Sequence, residues 1–227
     1  MKSYNFEDLN FFVRNDSDCS VVNEICKKKI YERPNLGFTL RPKERVLDCG
    51  AHIGAFSVWA AKHRRCKVVA AEASNGNSEM LRMNVAANKA DVEVMHGAIA
   101  IKDGSTSLWF NEKTPSRSSA LKGKKGSTNE IVKNICLPSL LETFMPSILK
   151  IDIEGGEFDL LDNRFSLSGI RAVMLEYHFR FDQSCEVARK RLKMFDDNFA
   201  HKSVPKFIYE NPKWIGWIDP VLIYWND

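Results

Sequence analysis

Apolar positions along the chain fall into short runs separated by stretches in which they recur every three or four residues, and the two periods alternate. The short runs are RVLDC (45–49), KVVAAE (67–72), DVEVMHGAI (91–99), SILKIDI (147–153), RAVMLEYH (171–178), KFIYE (206–210) and PVLIYW (220–225). Read as strands, the first five are each followed by a helical stretch, which is the pattern of a doubly wound α/β sheet with crossover helices. The last two predict an antiparallel hairpin that closes a seven-stranded, mostly parallel sheet. In GAFSVWAAKHRR (54–65) the apolar Phe56, Trp59 and Ala60 share one face. The basic residues gather in the last turn, where they complement the helix dipole.

Two segments fall outside this rhythm. SDCSVVNEICKKKIYE (17–32) predicts a helix capped by Ser17 or Asp18 ahead of the first strand. Residues 1–44 are then an N-terminal helical extension and 45–227 the main domain, within one globular unit. NEKTPSRSSALKGKKGSTNE (111–130) has almost no apolar content and predicts a mobile loop, either a lid or a solvated insertion. No internal repeat is visible.

Composition narrows the class. At 227 residues, with 44% hydrophobic and 27% charged, the chain can bury one substantial core and is short for two. A formal net charge of +4 suits a weakly basic enzyme and does not by itself argue for nucleic acid. The opening MKSYNFEDLNFFVRNDSD lacks the apolar core of a secretory signal, and no later run approaches a membrane span. The expectation is a cytoplasmic protein without membrane association. Six scattered cysteines, with no C-x-x-C pair and no histidine at zinc-finger spacing, read as reduced, mostly buried thiols.

The chemistry begins at the turn RVLDCGAHIGAFSVWAAKH (45–63). A P-loop needs G-x-x-x-x-G-K-[ST]; Gly50 and Gly54 are too close together, with no lysine following. The dinucleotide fingerprint needs a middle glycine that is missing here, and Asp48 beside the turn would repel a diphosphate. The same acid suits S-adenosylmethionine (SAM), whose ammonium and sulfonium are cationic and whose carboxylate the glycine turn and helix N-terminus can receive. Glu72 closes the second strand 22 positions after Gly50, placed to accept both ribose hydroxyls. A capping aspartate and a solvent-facing strand end explain each acid singly, but not their joint spacing.

These blocks, with FFVRNDSD, VVAAEASNGNSEMLRMNVAAN, HGAIA, LKIDIEGGEFDLL and VMLEYH, cover most of the chain, which resembles the FkbM-type SAM-dependent methyltransferases. The most specific block is K-x-D-x-E-G-x-E: Lys150, Asp152, Glu154, Gly155 and Glu157. Ala73 stands where proline is usual and His52 where asparagine is commoner. The resemblance implies a Rossmann-like class I methyltransferase fold. It also implies that Gly50, His52, Gly54, Ser57, Ala73 and Ala98 join Asp48 and Glu72 around SAM. The implied reaction is O-methylation of a hydroxyl on a sugar or glycan such as a deoxyhexose, with a polyketide-like product as the alternative acceptor.

In an open α/β sheet the ligand lies at the carboxyl ends of the strands. Asp152, Glu154, Glu157, Glu176 and His178 would therefore crowd one site. Two uses are open. Either His178, or secondarily Glu154, acts as general base on the acceptor hydroxyl, with Asp152 beside it. Or Asp152, Glu176 and His178 hold a divalent cation such as Mg²⁺ or Mn²⁺ that binds the hydroxyls. A satisfied strand-end histidine, and first-turn acids that stabilise a helix, are the plainer alternatives for His178, Glu154 and Glu157. Lys150 reads as a structural ion-pair partner. Tyr31 and Arg14 are candidate substrate contacts, and Trp214, Trp217 and Tyr224 either stack on a sugar or pack in the core.

Two competing functions remain. A nucleic-acid methyltransferase would hold phosphates with GKKG (123–126) and ARKRLK (188–193), but the base-flipping N-P-P-Y type motif is missing. A non-enzymatic SAM-binding module would have no use for acids at both strand ends. The expected partner is a small-molecule or glycan acceptor, not nucleic acid or a membrane. The sequence is also compatible with one domain of a larger biosynthetic polypeptide.

Overall fold

The computed structural model describes residues 1–111, 114–119, 128–178, 185–210 and 220–227. A hairpin of β1 (Lys2–Phe6) and β2 (Leu9–Val13) opens the chain and is followed by α1 (Asp16–Val22). Next come β3 (Arg45–Cys49), α2 (Ala55–His63), β4 (Lys67–Glu72), α3 (Asn75–Asn88) and β5 (Val92–His96). The short strand β6 (Ala98–Ala100) leads into β7 (Ser105–Asn111), β8 (Thr114–Ser119) and β9 (Thr128–Cys136). The chain closes through α4 (Leu137–Phe144), β10 (Ile148–Ile151), α5 (Glu157–Asn163), β11 (Ala172–Glu176), α6 (Cys185–Asp196), β12 (His201–Ser203), α7 (Phe207–Glu210) and β13 (Val221–Trp225).

The main sheet is ordered β12-β13-β11-β10-β3-β4-β5. Its strands from β11 to β5 are parallel, and β13 runs antiparallel to both of its neighbours, β11 and β12. Alternation along each strand divides the interior between two faces. Val46, Val68, Ala172 and Met174 join Phe56, Trp59 and Leu81 on one side, whereas Leu47, Val69, Val173 and Leu175 join Leu141, Phe158 and Phe195 on the other. Strand order reverses at β3, between β4 and β10, which is the switch point where such sheets bind ligands.

Several sequence expectations change. The segment 206–210 is not a strand: Phe207–Glu210 is a short helix, and the antiparallel partner of β13 is His201–Ser203. A five-residue apolar run cannot by itself distinguish a buried strand from a helical turn. The segment 111–130 is not one structureless loop, because β8 and the start of β9 fall within it, in a second sheet ordered β6-β9-β7-β8. Its low apolar content is compatible with an antiparallel sheet wet on one face, where Val132 is buried and its neighbour Ile131 is exposed. The predicted strand 91–99 is broken at Gly97, where a Cβ would lie 2.8 Å from the Lys133 carbonyl oxygen, so only glycine lets the chain cross against β9.

The N-terminal extension is a hairpin plus helix. Helix α1 is capped by Asn15, whose side chain accepts from the Asp18 N–H at 3.1 Å, not by Ser17 or Asp18. Asp18 turns inward and takes the Arg14 guanidinium through two oxygens, at 2.9 and 3.0 Å. Asn84 of α3 accepts from the Phe12 N–H at 2.6 Å and donates to the Ile53 carbonyl at 2.8 Å, tying β2 to the main domain. Because the extension covers its outer side, α2 is not amphipathic: every residue from Ala55 to Ala61 is buried. Among the described residues no helix is long and apolar enough to cross a membrane, and all six cysteines are free thiols.

Candidate active site

The turn from β3 to α2 is shaped by close packing. Gly50 has φ +83°, and a Cβ there would sit 1.7 Å from the Asp152 carbonyl oxygen, so β3 and β10 meet through bare backbone. Gly54 has φ +85° and abuts Leu81 of α3 in the same way. His52, between them, holds a left-handed φ of +53°, and its N–H donates to Glu72 at 2.8 Å. The other Glu72 oxygen accepts from the Ser74 N–H at 2.8 Å and from the Asn77 amide at 3.4 Å. Burial pushes the Glu72 pKa up, against the pull of these donors.

Asp48 is engaged elsewhere. Fully buried, it accepts from the Ser57 hydroxyl at 2.5 Å and lies 3.0 Å from the Lys150 ammonium, an ion pair outside hydrogen-bond geometry. Lys150, also buried, sits 3.4 Å from Asp152 and donates to the Gly50 carbonyl at 3.2 Å. Burial alone would lower the lysine pKa, but the Asp48 and Asp152 charges outweigh it and hold the ammonium well above its usual range. Lys150 is the ion-pair residue its alternation on the strand suggests.

The acids at the ends of β10 and β11 converge. One ligating atom from each of Asp152, Glu176 and His178 lies within 4.8 Å of the others. The Tyr31 hydroxyl, reaching in from the extension, is 3.3 Å from both Asp152 and Glu176. The Nδ1 of His178 is 3.1 Å from the buried Glu157 carboxylate, which also accepts from the backbone N–H groups of His178 and Gly155. Its Nε2 faces Glu154 at 3.5 Å and Asp152 and Glu176 at 3.9 Å. Burial by itself would lower His178, but the Glu157 hydrogen bond and the surrounding carboxylates push it up to about 10. Burial and the Asp152 charge push Glu176 up as well. Glu154, at φ +50°, is held in a conformation that non-glycine residues adopt at a cost.

A cavity of about 370 Å³, within the range of small-molecule sites, opens over these strand ends. Of the positions assigned to SAM, Gly50, His52, Glu72, Ala73 and Ala98 line it; Asp48, Gly54 and Ser57 do not. Asp152, Glu154 and Glu176 line it, with His178 set behind them. Tyr31 lines it, whereas Arg14 is spent on Asp18. Tyr224 is core, packed on Phe195, and Trp214 and Trp217 lie outside the described residues. Sequence reasoning missed Asn77, whose amide steadies Glu72, and placed Glu157 among the site acids, with a helix-dipole acid as the alternative, without foreseeing its bond to His178. The spacing of Glu157 within the K-x-D-x-E-G-x-E block was the available signal.

A family model for the methyltransferase FkbM domain matches residues 48–210, well over half of the chain. The chain belongs to this family. It is a SAM-dependent methyltransferase of the FkbM type. Among solved structures, TYW2 from P. horikoshii in complex with MeSAdo matches with a TM-score of 0.50 and 12% identity, covering 98% of this chain and 69% of that one. That similarity supports the class I methyltransferase-like fold. M. jannaschii TYW2 in complex with AdoMet gives a TM-score of 0.49 and 15% identity, over 97% and 83% of the two chains. An uncharacterized protein from Listeria monocytogenes serotype 4b gives 0.47 and 11% identity; the match covers 83% of this FkbM-family chain and 64% of that protein. No curated protein matches by sequence.

Glu72 lines the cavity and is the residue that the sequence pattern assigns to the ribose hydroxyls, so Glu72→Ala is expected to weaken SAM binding by roughly 1.5–3 kcal/mol, about tenfold or more. Calorimetric titration with SAM checks this, and an unaltered affinity would remove Glu72 from the cofactor site.

Proposed function

We propose that this methyltransferase acts on a hydroxyl of a sugar or glycan, a deoxyhexose suiting the site best, and that Asp152, Glu176 and His178 hold a divalent cation, magnesium or manganese. The observation that carries this reading is the convergence of one donor atom from each of these three residues within 4.8 Å. Two carboxylates and an imidazole suit an oxygen-preferring divalent ion. The hydrogen bond from Nδ1 of His178 to buried Glu157 is the support that metal-bound imidazoles recurrently have. When bound, such an ion lowers the pKa of a coordinated hydroxyl, and SAM supplies the electrophilic methyl group.

The chain's own groups do the rest. Glu157 fixes the ring of His178, and Tyr31 orients the facing carboxylates of Asp152 and Glu176. With Nδ1 bonded to Glu157 and Nε2 left for the ion, His178 would have no nitrogen free to take the hydroxyl proton. Glu154, 44% exposed and lining the cavity, is the group positioned to accept the hydroxyl proton. Carboxylates that hold neighbouring hydroxyls of a polyol also aim one of them, and positioning of this kind can lower the barrier substantially.

A polyketide-like acceptor is the second reading, favoured by Val21, Ile25, Ile30 and Leu108 in the cavity wall. Against nucleic acid, the basic residues of 188–193 are engaged: Arg191 with Asp162, Lys190 with Glu186, Lys193 with Asp197, and Arg189 with the Tyr209 carbonyl. GKKG (123–126) lies outside the described residues. The test is transfer from labelled SAM to a panel of sugars and glycans before and after chelation. Excess EDTA should abolish turnover, and Mg²⁺ or Mn²⁺ should restore it. Full activity in EDTA would remove the ion and leave the carboxylates to act alone.

A further inference from the structure

Resting on the hydroxyl-methylation reading above, we infer that Val21, Ile25 and Ile30 of the N-terminal extension determine acceptor specificity: they form an apolar subsite that takes an aliphatic group carried by the acceptor beside its reacting hydroxyl. All three line the cavity. Val21 and Ile25, four positions apart, share the face of α1 that continues into a π-turn, Asn23–Lys27. Behind that face the turn is fixed in the core. Val22 and Cys26 are fully buried there, and the Asn23 side chain accepts from the Tyr4 hydroxyl of β1 at 2.9 Å. The wall is therefore built before any ligand arrives, which lowers the cost of binding against it.

Position within the cavity assigns the occupant. Ile30 precedes Tyr31, whose hydroxyl is 3.3 Å from both Asp152 and Glu176, so the wall leads to the carboxylates assigned above to the acceptor. The cavity positions assigned to SAM, Gly50, His52, Glu72, Ala73 and Ala98, come instead from the turn after β3, the end of β4 and β6. All five lie within the family-matched residues 48–210, whereas the extension lies outside them. Aliphatic side chains favour contact with a methyl or methylene group and leave a hydroxyl placed there without a partner. Of the polar groups on the same face, Glu24 is turned to Lys28 at 3.7 Å, and Ser17, one turn further out, is exposed. The aliphatic group is either the ring methyl of a deoxyhexose or an alkyl chain of its aglycone.

Three acceptors separate these sources, with labelled SAM and Mg²⁺: the methyl glycoside of a deoxyhexose, the methyl glycoside of the parent hexose, and the octyl glycoside of that hexose. The first or the third should exceed the second in kcat/KM by on the order of tenfold, the discrimination a hydrophobic pocket gives for a small apolar group. A gain in the first assigns the wall to the ring methyl, and a gain in the third to the aglycone. Ile25→Thr and, with less demand on the core, Val21→Thr should narrow the gap to about threefold, raising KM more than they lower kcat and leaving the calorimetric Kd of SAM as it was. A methyl hexoside as good as both others, or a gap that neither variant moves, overturns the inference and leaves the hydroxyl reading standing. Transfer to none of the three overturns the sugar reading instead, and hexan-1-ol titrated against protein loaded with S-adenosylhomocysteine then decides the subsite. Saturable binding that Ile25→Thr or Val21→Thr weakens upholds the inference. No binding up to about 10 mM, or binding that both variants leave unchanged, overturns it.

Discussion

Replacing Asp152 with asparagine should lower kcat by roughly 10²–10³-fold, the usual cost of removing one preorganised electrostatic group from a reacting centre. Asparagine keeps the shape and can still accept from the Tyr31 hydroxyl, which lies 3.3 Å from the native oxygen. Only the charge is lost. Lys150 retains Asp48 at 3.0 Å, so the fold should survive. SAM affinity should stay close to that of the unmodified protein, because Glu72 and its donors are untouched. Turnover with labelled SAM and calorimetry on the same preparation check the two halves. An unchanged kcat would remove Asp152 from the chemistry.

Asp48→Ala is expected to act on stability, costing about 3 kcal/mol, because it removes the nearer and fully buried partner of a buried ammonium and leaves it only the partly exposed Asp152 at 3.4 Å. The carboxylate has two internal partners, Lys150 and Ser57, and does not line the cavity. Urea unfolding should show a lower midpoint with the slope retained. Lys150→Met in the same chain should recover part of the loss, since removing both members of a buried pair costs less than removing one. A variant of native stability with weakened SAM binding would return Asp48 to the cofactor.

What the sequence made legible follows from the range of the interactions involved. The parallel strands carry continuous apolar runs because helices cover both faces, so five of them could be read directly. The acids at 152, 154 and 176 and the histidine at 178 could be grouped because strand ends in such a sheet share one edge. The assignment of Asp48 to the SAM ammonium failed to anticipate Lys150, which alternation placed on the neighbouring strand but whose register opposite Asp48 is set only by the pairing of β10 with β3. The burial of α2 from Ala55 to Ala61 could not be foreseen, since its outer face is closed by α1 and residues 23–27, with Tyr31 packed on Phe56, all from outside the repeating sheet pattern. The polar strands β8 and β9 were hidden because ladder hydrogen bonds, not apolar periodicity, define a sheet wet on one side.

The most direct test of the account is the fate of the methyl carbon. With SAM labelled with carbon-13 at the methyl group, Mg²⁺ and a deoxyhexosyl glycoside, the product should show a single new methyl resonance at the shift of a methyl ether on a ring carbon. The signal should disappear in EDTA and in Asp152→Asn while SAM binding persists. A labelled methyl found on nitrogen or carbon, or an ether signal of full intensity in EDTA, would contradict it.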